Sequence, residues 1–174
     1  MRATSRTVAA LAAALVLTAC GNGGDGGDGQ DDSAGSTCAE QLSVQFGPAN
    51  AAPATGDTGN VPVTVTNRSG DECVLDGLPA VEFDAGSTMI SVAPDESVPA
   101  TKKALAKEAS TSFTLTYVRG EGGGTKSLPV TSVKLRLPGA SEPHSFKWSY
   151  GDVALKSDGQ SPDASVTGFQ QSGD

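Results

Sequence analysis

Residues 61–67 read Val61-Pro62-Val63-Thr64-Val65-Thr66-Asn67, a run in which valine alternates with proline or threonine. Side chains along a β-strand point to opposite faces with a period of two, so this run presents one apolar face and one largely polar face. Three further segments repeat the pattern: Leu42-Val44-Phe46, Phe113-Leu115-Tyr117 and Val133-Leu135-Leu137. The four segments predict half-buried strands that contribute to one core.

Shorter apolar runs, separated by turn residues, predict further strands between and after these four. The candidates are Cys73–Leu75, Ala80–Phe83, Met89–Val92, Ser145–Tyr150 and Val166–Phe169. The 174 residues include 22 glycines and 10 prolines, a composition that favours short strands joined by many turns. We therefore expect one all-β domain over residues 38–170, an immunoglobulin-like β-sandwich of seven to nine short antiparallel strands.

One segment departs from this pattern. Thr101–Ala109 (TKKALAKEA) is rich in residues that favour helices, and it begins with a threonine that could cap one. A helix of this length is only marginally stable by itself. We therefore expect a short helix or a turn that joins two strands.

The start of the chain has the features of an export signal. Met1–Thr7 contains two arginines, and residues 8–17 form an apolar run that is too short for a permanent span of about 20 residues. The run leads into Leu17-Thr18-Ala19-Cys20-Gly21, which resembles the lipobox of bacterial lipoproteins. The resemblance implies that residues 1–19 are removed and that Cys20 takes the lipid. The alternative is an ordinary secretory signal followed by an unrelated cysteine.

The segment between Cys20 and the predicted domain is unsuited to a hydrophobic core. Gly21–Thr37 contains seven glycines and four aspartates, and it has no large apolar residue. This composition predicts that residues 20–37 form a flexible tether, with a reach of roughly 20 Å. Residues 171–174 are expected to form a short C-terminal tail.

Two cysteines remain once Cys20 is assigned to the lipid, namely Cys38 and Cys73. Export would place both in an oxidising compartment, where cysteines of a small domain usually pair. We therefore expect a disulfide between them. The alternative is a pair of free thiols, which is uncommon outside the cell.

Several motifs resemble a family of actinobacterial secreted and lipoprotein domains whose function is unknown. The resemblance is carried by Cys38-Ala39-Glu40-Gln41-Leu42, Val63–Asn67, Cys73–Val81 with its Cys-x-Leu-x-Gly-x-Pro pattern, and Ser112–Tyr117. It covers about Cys38 to Phe169. The chain departs from the family pattern at Leu78, where an aromatic residue is usual, and at Ala106–Ala109, where a Pro-Gly turn is expected.

The motif that follows Cys73 is expected to be structural. Gly77 can adopt a backbone conformation that other residues avoid, and Pro79 restricts the turn after it. Leu75 and Val81 are expected to point inward. The motif itself indicates no chemistry.

The charge of the chain excludes one class of partner. The formal net charge is −8, and removal of the leader with Arg2 and Arg6 takes it to −10. An acidic surface without a cluster of lysine and arginine repels phosphate backbones, so nucleic acid is not an expected partner. The expected partners are the membrane, through the lipid anchor, and a protein or polymer of the cell envelope.

The residue patterns indicate no catalytic, cofactor-binding or metal-binding residue, so we do not expect an enzyme. His144 is the single histidine, and we expect it in an exposed loop without the further ligands that a transition metal needs. A serine triad is not indicated, because Gly-x-Ser-x-Gly and a second histidine are lacking. Trp148 and Tyr150 alternate, and we expect core positions rather than an exposed aromatic patch.

Two acidic residues leave an alternative open. Glu82 and Asp84 flank Phe83, so both carboxylates would lie on one face of a strand. They could form a glycosidase-like pair or a calcium contact, but two solvated carboxylates are the favoured interpretation. Nearby in sequence, Asn67-Arg68-Ser69 matches a glycosylation sequon and is expected to form a hairpin turn.

These features predict a non-catalytic binding or interaction module, anchored by lipid at the outer face of the cytoplasmic membrane. A second hypothesis is an accessory or structural subunit of an envelope protein complex. A third is an envelope enzyme that uses Glu82 and Asp84. The sequence does not separate the first two, because both require only a tethered β-domain with exposed loops.

Overall fold

The computed structural model describes residues 38–95, 97 and 102–171. The predicted signal peptide (1–19) and the predicted tether (20–37), which includes Cys20, lie outside the described residues. Of the predicted C-terminal tail (171–174), Gln171 is described and belongs to a two-residue strand, and residues 172–174 lie outside the described residues.

Fourteen strands, joined by turns, run through the described residues. In chain order they are β1 (Leu42–Phe46), β2 (Thr58–Asn67), β3 (Cys73–Asp76), β4 (Ala80–Asp84), β5 (Met89–Ser91), β6 (Ala93–Pro94), β7 (Lys102–Leu105), β8 (Ser110–Val118), β9 (Ser127–Leu128), β10 (Ser132–Arg136), β11 (His144–Lys147), β12 (Val153–Ala154), β13 (Ala164–Val166) and β14 (Gln170–Gln171).

The larger sheet contains six strands in the order β1-β2-β8-β13-β6, with β14 also paired to β8. Its centre is the antiparallel pair of β2 and β8, which runs from Thr58 opposite Val118 to Thr66 opposite Ser110. Buried and half-buried residues alternate along both strands. The period of two seen in residues 61–67 therefore corresponds to valines on the inner face of this sheet.

The second sheet contains four antiparallel strands in the order β11-β10-β4-β5. In β4, Val81 and Phe83 are buried, while Glu82 between them is only half-buried. The same alternation in β10 buries Val133 and Leu135. The outer face of this sheet is therefore polar. Two short ribbons, β12 with β9 and β3 with β7, complete the strand pairing.

The inner faces of the two sheets share one hydrophobic core. Tyr117 of β8 and Phe83 of β4 both contact Trp148 edge to face, with ring centroids 4.9 Å and 5.3 Å away. Phe46 of β1 lies 4.1 Å from Phe146 of β11, again across the two sheets. These contacts confirm the predicted all-β sandwich. Because the core is built from residues between 39 and 169, we expect the segment 38–174 to fold by itself.

The predicted disulfide between Cys38 and Cys73 is confirmed. Its sulfur atoms are 2.00 Å apart and the two Cα atoms 5.6 Å apart. Cys73 is the first residue of β3, and both Cys73 and Leu75 of that strand are buried. The bridge therefore joins the start of the domain to the ribbon of β3 and β7.

Two expectations about strand number and direction are wrong. The described residues contain fourteen strands: β7 lies in the segment expected to be a short helix or turn, and β6, β9, β12 and β14 have two residues each, too few for a periodic pattern to reveal. The pairing is also not wholly antiparallel, since β13 and β6 run parallel, with Ser165 opposite Ala93.

The short helix expected within Thr101–Ala109 is absent from the described part of that segment. Lys102–Leu105 forms β7 and pairs with β3, which places Leu105 opposite Cys73 and inside the core. Burial and cross-strand pairing outweigh the weak helix preference of these residues. The turn that was the alternative follows β7, and it holds Glu108 in a left-handed conformation with φ 62°.

Candidate functional site

A groove of about 350 Å³ is lined by outer-face residues of the four-stranded sheet and by residues of the links and strands beside it. This volume is at the lower end of the range of small-molecule sites. Its lining is mostly apolar and comes from the second sheet, its flanking links, β6 and β13. The apolar residues are Leu78, Pro79, Ala80, Val81, Val92, Pro94, Pro143 and Val166, and the polar residues are Glu82, Ser91, Lys134 and Arg136.

Strand register brings the polar lining residues together. In the pair of β10 and β4, Lys134 lies opposite Glu82 and Arg136 lies opposite Ala80. In the pair of β4 and β5, Ser91 lies opposite Glu82. Residues directly opposite each other in a sheet have side chains on the same face, so these groups converge on the outer surface.

The link between β3 and β4 adds Leu78 and Pro79 to the groove. Gly77 adopts φ 122°, which residues with a side chain rarely adopt, so the predicted need for glycine at this turn is confirmed. Leu75 and Val81 on either side are buried, as expected. The motif that was expected to be purely structural therefore also shapes the groove.

The link between β10 and β11, which contributes Pro143, is held by Glu40. The Glu40 carboxylate accepts hydrogen bonds from the Ser141 hydroxyl at 2.6 Å and from the Ser141 backbone N–H at 2.8 Å. These hydrogen bonds, the hydroxyl above all, lower the pKa of Glu40 below its usual range. The contact ties the first turn of the domain to one side of the groove.

The three charged side chains of the groove are not used by the fold. Glu82 and Lys134 are half-buried and Arg136 is exposed. Within the described part of the chain, none of the three makes an ion pair or a side-chain hydrogen bond. The ion pair found there joins Lys102 to Asp76. Their charged groups are therefore available to a ligand.

Glu82 and Asp84 lie on the same strand face but in different surroundings. Both lie on the outer face of β4, as expected, because Val81 and Phe83 point inward. Asp84, however, does not line the groove; its carboxylate accepts a hydrogen bond from the Gly86 N–H at 3.1 Å and lies 3.4 Å from the Ser132 hydroxyl. The structure therefore gives the groove one of the two carboxylates.

His144 is not in an exposed loop, contrary to the prediction. It is the first residue of β11, it is half-buried, and its ring stacks beside Phe146 with centroids 6.5 Å apart. Its partner on the neighbouring strand is Leu135 of β10, and this pairing makes the segment after Pro143 part of the sheet. Within residues 38–95, 97 and 102–171, no group of three or more histidine, cysteine, aspartate or glutamate residues could hold a metal ion.

Trp148 lies in the core, as predicted, and is 5% exposed. Its indole N–H donates a hydrogen bond of 2.6 Å to the carbonyl of Gly151. Tyr150 is only half-buried and packs on the core, with its ring 4.8 Å from that of Trp148. Both follow β11 rather than continuing it, so the predicted strand over Ser145–Tyr150 is too long.

The expected hairpin turn at Asn67-Arg68-Ser69 is instead a link between two separate strand pairings. Asn67 ends β2, which pairs with β1 and β8, whereas the following β3 pairs with β7. The Asn67 side chain is fully buried. An asparagine in this position is inaccessible to a modifying enzyme, so the sequon has a structural explanation.

Two other depressions lie on the described surface. One, of about 320 Å³, is lined by the glycine-rich turn after β8, by Arg119 and by the charged residues Glu121 and Lys126. The Arg119 guanidinium is already used, since it donates to the carbonyls of Ala52 and Pro53 at 2.9 Å and 3.1 Å. The other, of about 510 Å³, is bordered by Ile90, Leu128 and Leu155 and has no charged lining residue.

Lys134 and Arg136 were not singled out from the sequence. Their alternation with Val133, Leu135 and Leu137 predicts that they lie on the outer face of a strand. The sequence does not predict that they lie close to Glu82 and Ser91, because that depends on which strands are neighbours and in which register.

In the part of the chain that the structure describes, no helix is long and apolar enough to cross a membrane.

The family profile described as "Domain of unknown function (DUF4232)" matches residues 38–170. The chain belongs to this family. The match spans the whole sandwich, so the predicted membership of a domain family of unknown function is confirmed. No curated protein and no solved structure matches the chain.

Proposed function

We propose that this DUF4232 domain is a non-catalytic binding module of the cell envelope and that the groove on its four-stranded sheet is the binding site. The observation that carries the proposal is the set of charged side chains in that groove. Glu82, Lys134 and Arg136 converge beside an apolar lining, yet none of them contributes an ion pair or side-chain hydrogen bond within the described residues. A fold that gains nothing from these groups leaves them for a ligand.

We also propose that the domain is displayed outside the cell. The lipobox resemblance at Leu17–Gly21 supports cleavage before Cys20 and lipid attachment to it. The disulfide between Cys38 and Cys73 fits an oxidising compartment. With residues 21–37 as a flexible tether, the lipid would hold the sandwich at the outer face of the cytoplasmic membrane.

The groove can be tested by filling it. Ala80 is exposed, lies on the outer face of β4 and lines the groove, so Ala80→Trp should occupy the space without disturbing the core. Met89 on the neighbouring β5 is 40% exposed and does not line the groove, so Met89→Trp is the matched control.

Native mass spectrometry of the protein released gently from its own membrane is the readout. We expect an additional non-covalent mass on the unmodified chain and on Met89→Trp, and its loss from Ala80→Trp. A mass that persists in Ala80→Trp would place the ligand elsewhere. A chain that carries no additional mass in any form would count against a binding function for the groove.

A second candidate function is that of an accessory subunit in an envelope complex, and the six-stranded sheet favours it. None of its strands contains an aspartate, glutamate, lysine, arginine or histidine, although 18% of the chain is charged. An uncharged outer face can be covered by a partner without desolvating ions. A photo-crosslinking residue at Thr64 in β2 should then capture one protein partner, and the same residue at Lys147 in β11 should not.

A further inference from the structure

We propose that the ligand of the groove is a small amphipathic anion, with a carboxylate or phosphate head and a short apolar body. The inference rests on the proposed binding function and adds the chemical class of the ligand. Its basis is the arrangement of two cations, Lys134 and Arg136, that have no ion-pair partner among the described residues and lie beside proline and leucine side chains.

The two cations are placed to share one head group. Lys134 and Arg136 are two residues apart on β10, so their Cα atoms are about 7 Å apart and both side chains leave the same face of the sheet. Arginine presents a planar set of donors that matches carboxylate and phosphate oxygens, and lysine adds a compact charge. An anion between them would receive hydrogen bonds from both.

The local charge also favours an anion. The formal net charge of the chain is −8, yet the groove has two cations against the single carboxylate of Glu82. Glu82 lies directly opposite Lys134 without forming an ion pair with it. Glu82 would repel part of an incoming negative charge, so the head group should lie nearer to Arg136, whose opposite neighbour is the uncharged Ala80.

The apolar lining sets the rest of the ligand. Pro79, Pro94 and Pro143 line the groove together with Leu78. Proline has few conformations to lose, so a wall rich in proline is largely formed before a ligand arrives. A volume of about 350 Å³ admits a short apolar chain.

The experiment is an amide chemical-shift titration of the 38–174 segment with four eight-carbon probes kept below their micelle concentrations. The probes are octanoate, octyl phosphate, octyltrimethylammonium and octyl glucoside. We expect the two anions to shift the amides of Leu78, Ser91 and Lys134 and to bind at least about fivefold more tightly than octyl glucoside. The stronger of the two anions identifies the head group as carboxylate or phosphate.

Variants separate charge from shape. Arg136→Gln should weaken binding of the stronger anion about fivefold, Lys134→Gln should weaken it by less, and Glu82→Gln should strengthen it. Lys147→Gln, on the same sheet face but outside the groove lining, should leave binding unchanged. Each substitution replaces a charged side chain by an amide on the outer face, so the pattern of core resonances should stay constant.

The outcomes distinguish failure of the ligand class from failure of the site. Equal binding of octyl glucoside or octyltrimethylammonium, with no effect of Arg136→Gln, would overturn the anionic class while leaving the groove as a binding site. Shifts spread over other surfaces, or none with any probe, would overturn both proposals. Equal weakening by Lys147→Gln and Arg136→Gln would show attraction to the whole sheet face and would also contradict the proposed site.

Discussion

Asn67 joins three parts of the sandwich through one buried side chain. Its amide donates 2.8 Å hydrogen bonds to the carbonyls of Asp71 and Leu105, and its carbonyl accepts from the N–H and hydroxyl of Ser69 at 2.9 Å and 2.6 Å. The end of β2, the following turn and the end of β7 therefore depend on one residue. The asparagine at this position is explained by these structural hydrogen bonds.

Asn67→Ala should destabilise the domain by about 2–3 kcal/mol, because it removes the four hydrogen bonds of a buried side chain. Asn60→Ala is the control, since Asn60 is half-buried on the same strand and its side chain accepts a single hydrogen bond, from the Thr116 hydroxyl. Urea unfolding with the disulfide intact measures both. Equal losses for the two variants would contradict the assigned role of Asn67.

Gly59 is required by a neighbouring ring. It lies opposite Tyr117, and a Cβ atom at this position would overlap the tyrosine ring. Gly59→Ala should therefore cost about 1–3 kcal/mol of unfolding free energy through overpacking. Gly70 has no atom within 4 Å of an added Cβ, so Gly70→Ala should change stability little. Thermal unfolding measures both variants, and an equal change in stability for the two would contradict the role given to the Tyr117 ring.

At the scale of elements, strand pairing decides what local preference leaves open. The alternating segments predicted β1, β2, β8 and β10 to within a few residues, because a period of two reports one buried face directly. The residues of β7 favour a helix locally but form a strand, because they pair with β3, which is distant in sequence. Two-residue strands such as β6 and β14 owe their existence to a neighbour and leave no pattern of their own.

The ribbon of β3 and β7 is tied to the start of the domain by the disulfide. The bridge spans a sequence separation of 35 residues, and opening it releases a loop whose closure contributes about 4 kcal/mol. Replacing both Cys38 and Cys73 by serine should therefore lower the unfolding free energy by about that amount. Denaturant unfolding of the 38–174 segment gives the value, and a loss below 1 kcal/mol would show that the ribbon is held by packing alone.

The turn between β12 and β13 depends on Asp158. Its carboxylate accepts hydrogen bonds from Ser161 and from the Gln160 and Ser161 N–H groups, and the Ser161 hydroxyl is the main cause of a pKa lowered to about 2. A lowered folded-state pKa gives stability that is present above the unfolded value of about 4 and is lost as the pH falls to about 2.

Asp158→Asn should therefore lower the melting temperature at pH 6, and the difference from the unmodified protein should shrink between about pH 4 and about pH 2. Asp71→Asn is the control, because the Asp71 side chain makes no hydrogen bond in the region that the structure describes. A difference that stays constant through this pH range would show that the Asp158 hydrogen bonds do not stabilise the turn.

For the whole molecule, the two sheets carry different surfaces. The six-stranded sheet has no charged residue in its strands, while the four-stranded sheet presents Glu82, Asp84, Lys134, Arg136 and Lys147.

The sequence revealed the type of fold and the disulfide, since both follow from local patterns and cysteine number. It did not reveal the groove, because β4, β5, β6, β10 and β13 meet there only after folding.

We propose that this sandwich is held outside the cell by a lipid on Cys20, and the most direct test of that central proposal is the intact mass of the protein purified from its own membrane, before and after reduction. The account predicts a chain that begins at Cys20, carries at least a diacylglyceryl group and gains two hydrogens on reduction of the Cys38–Cys73 bridge. An unlipidated chain with free thiols would contradict it.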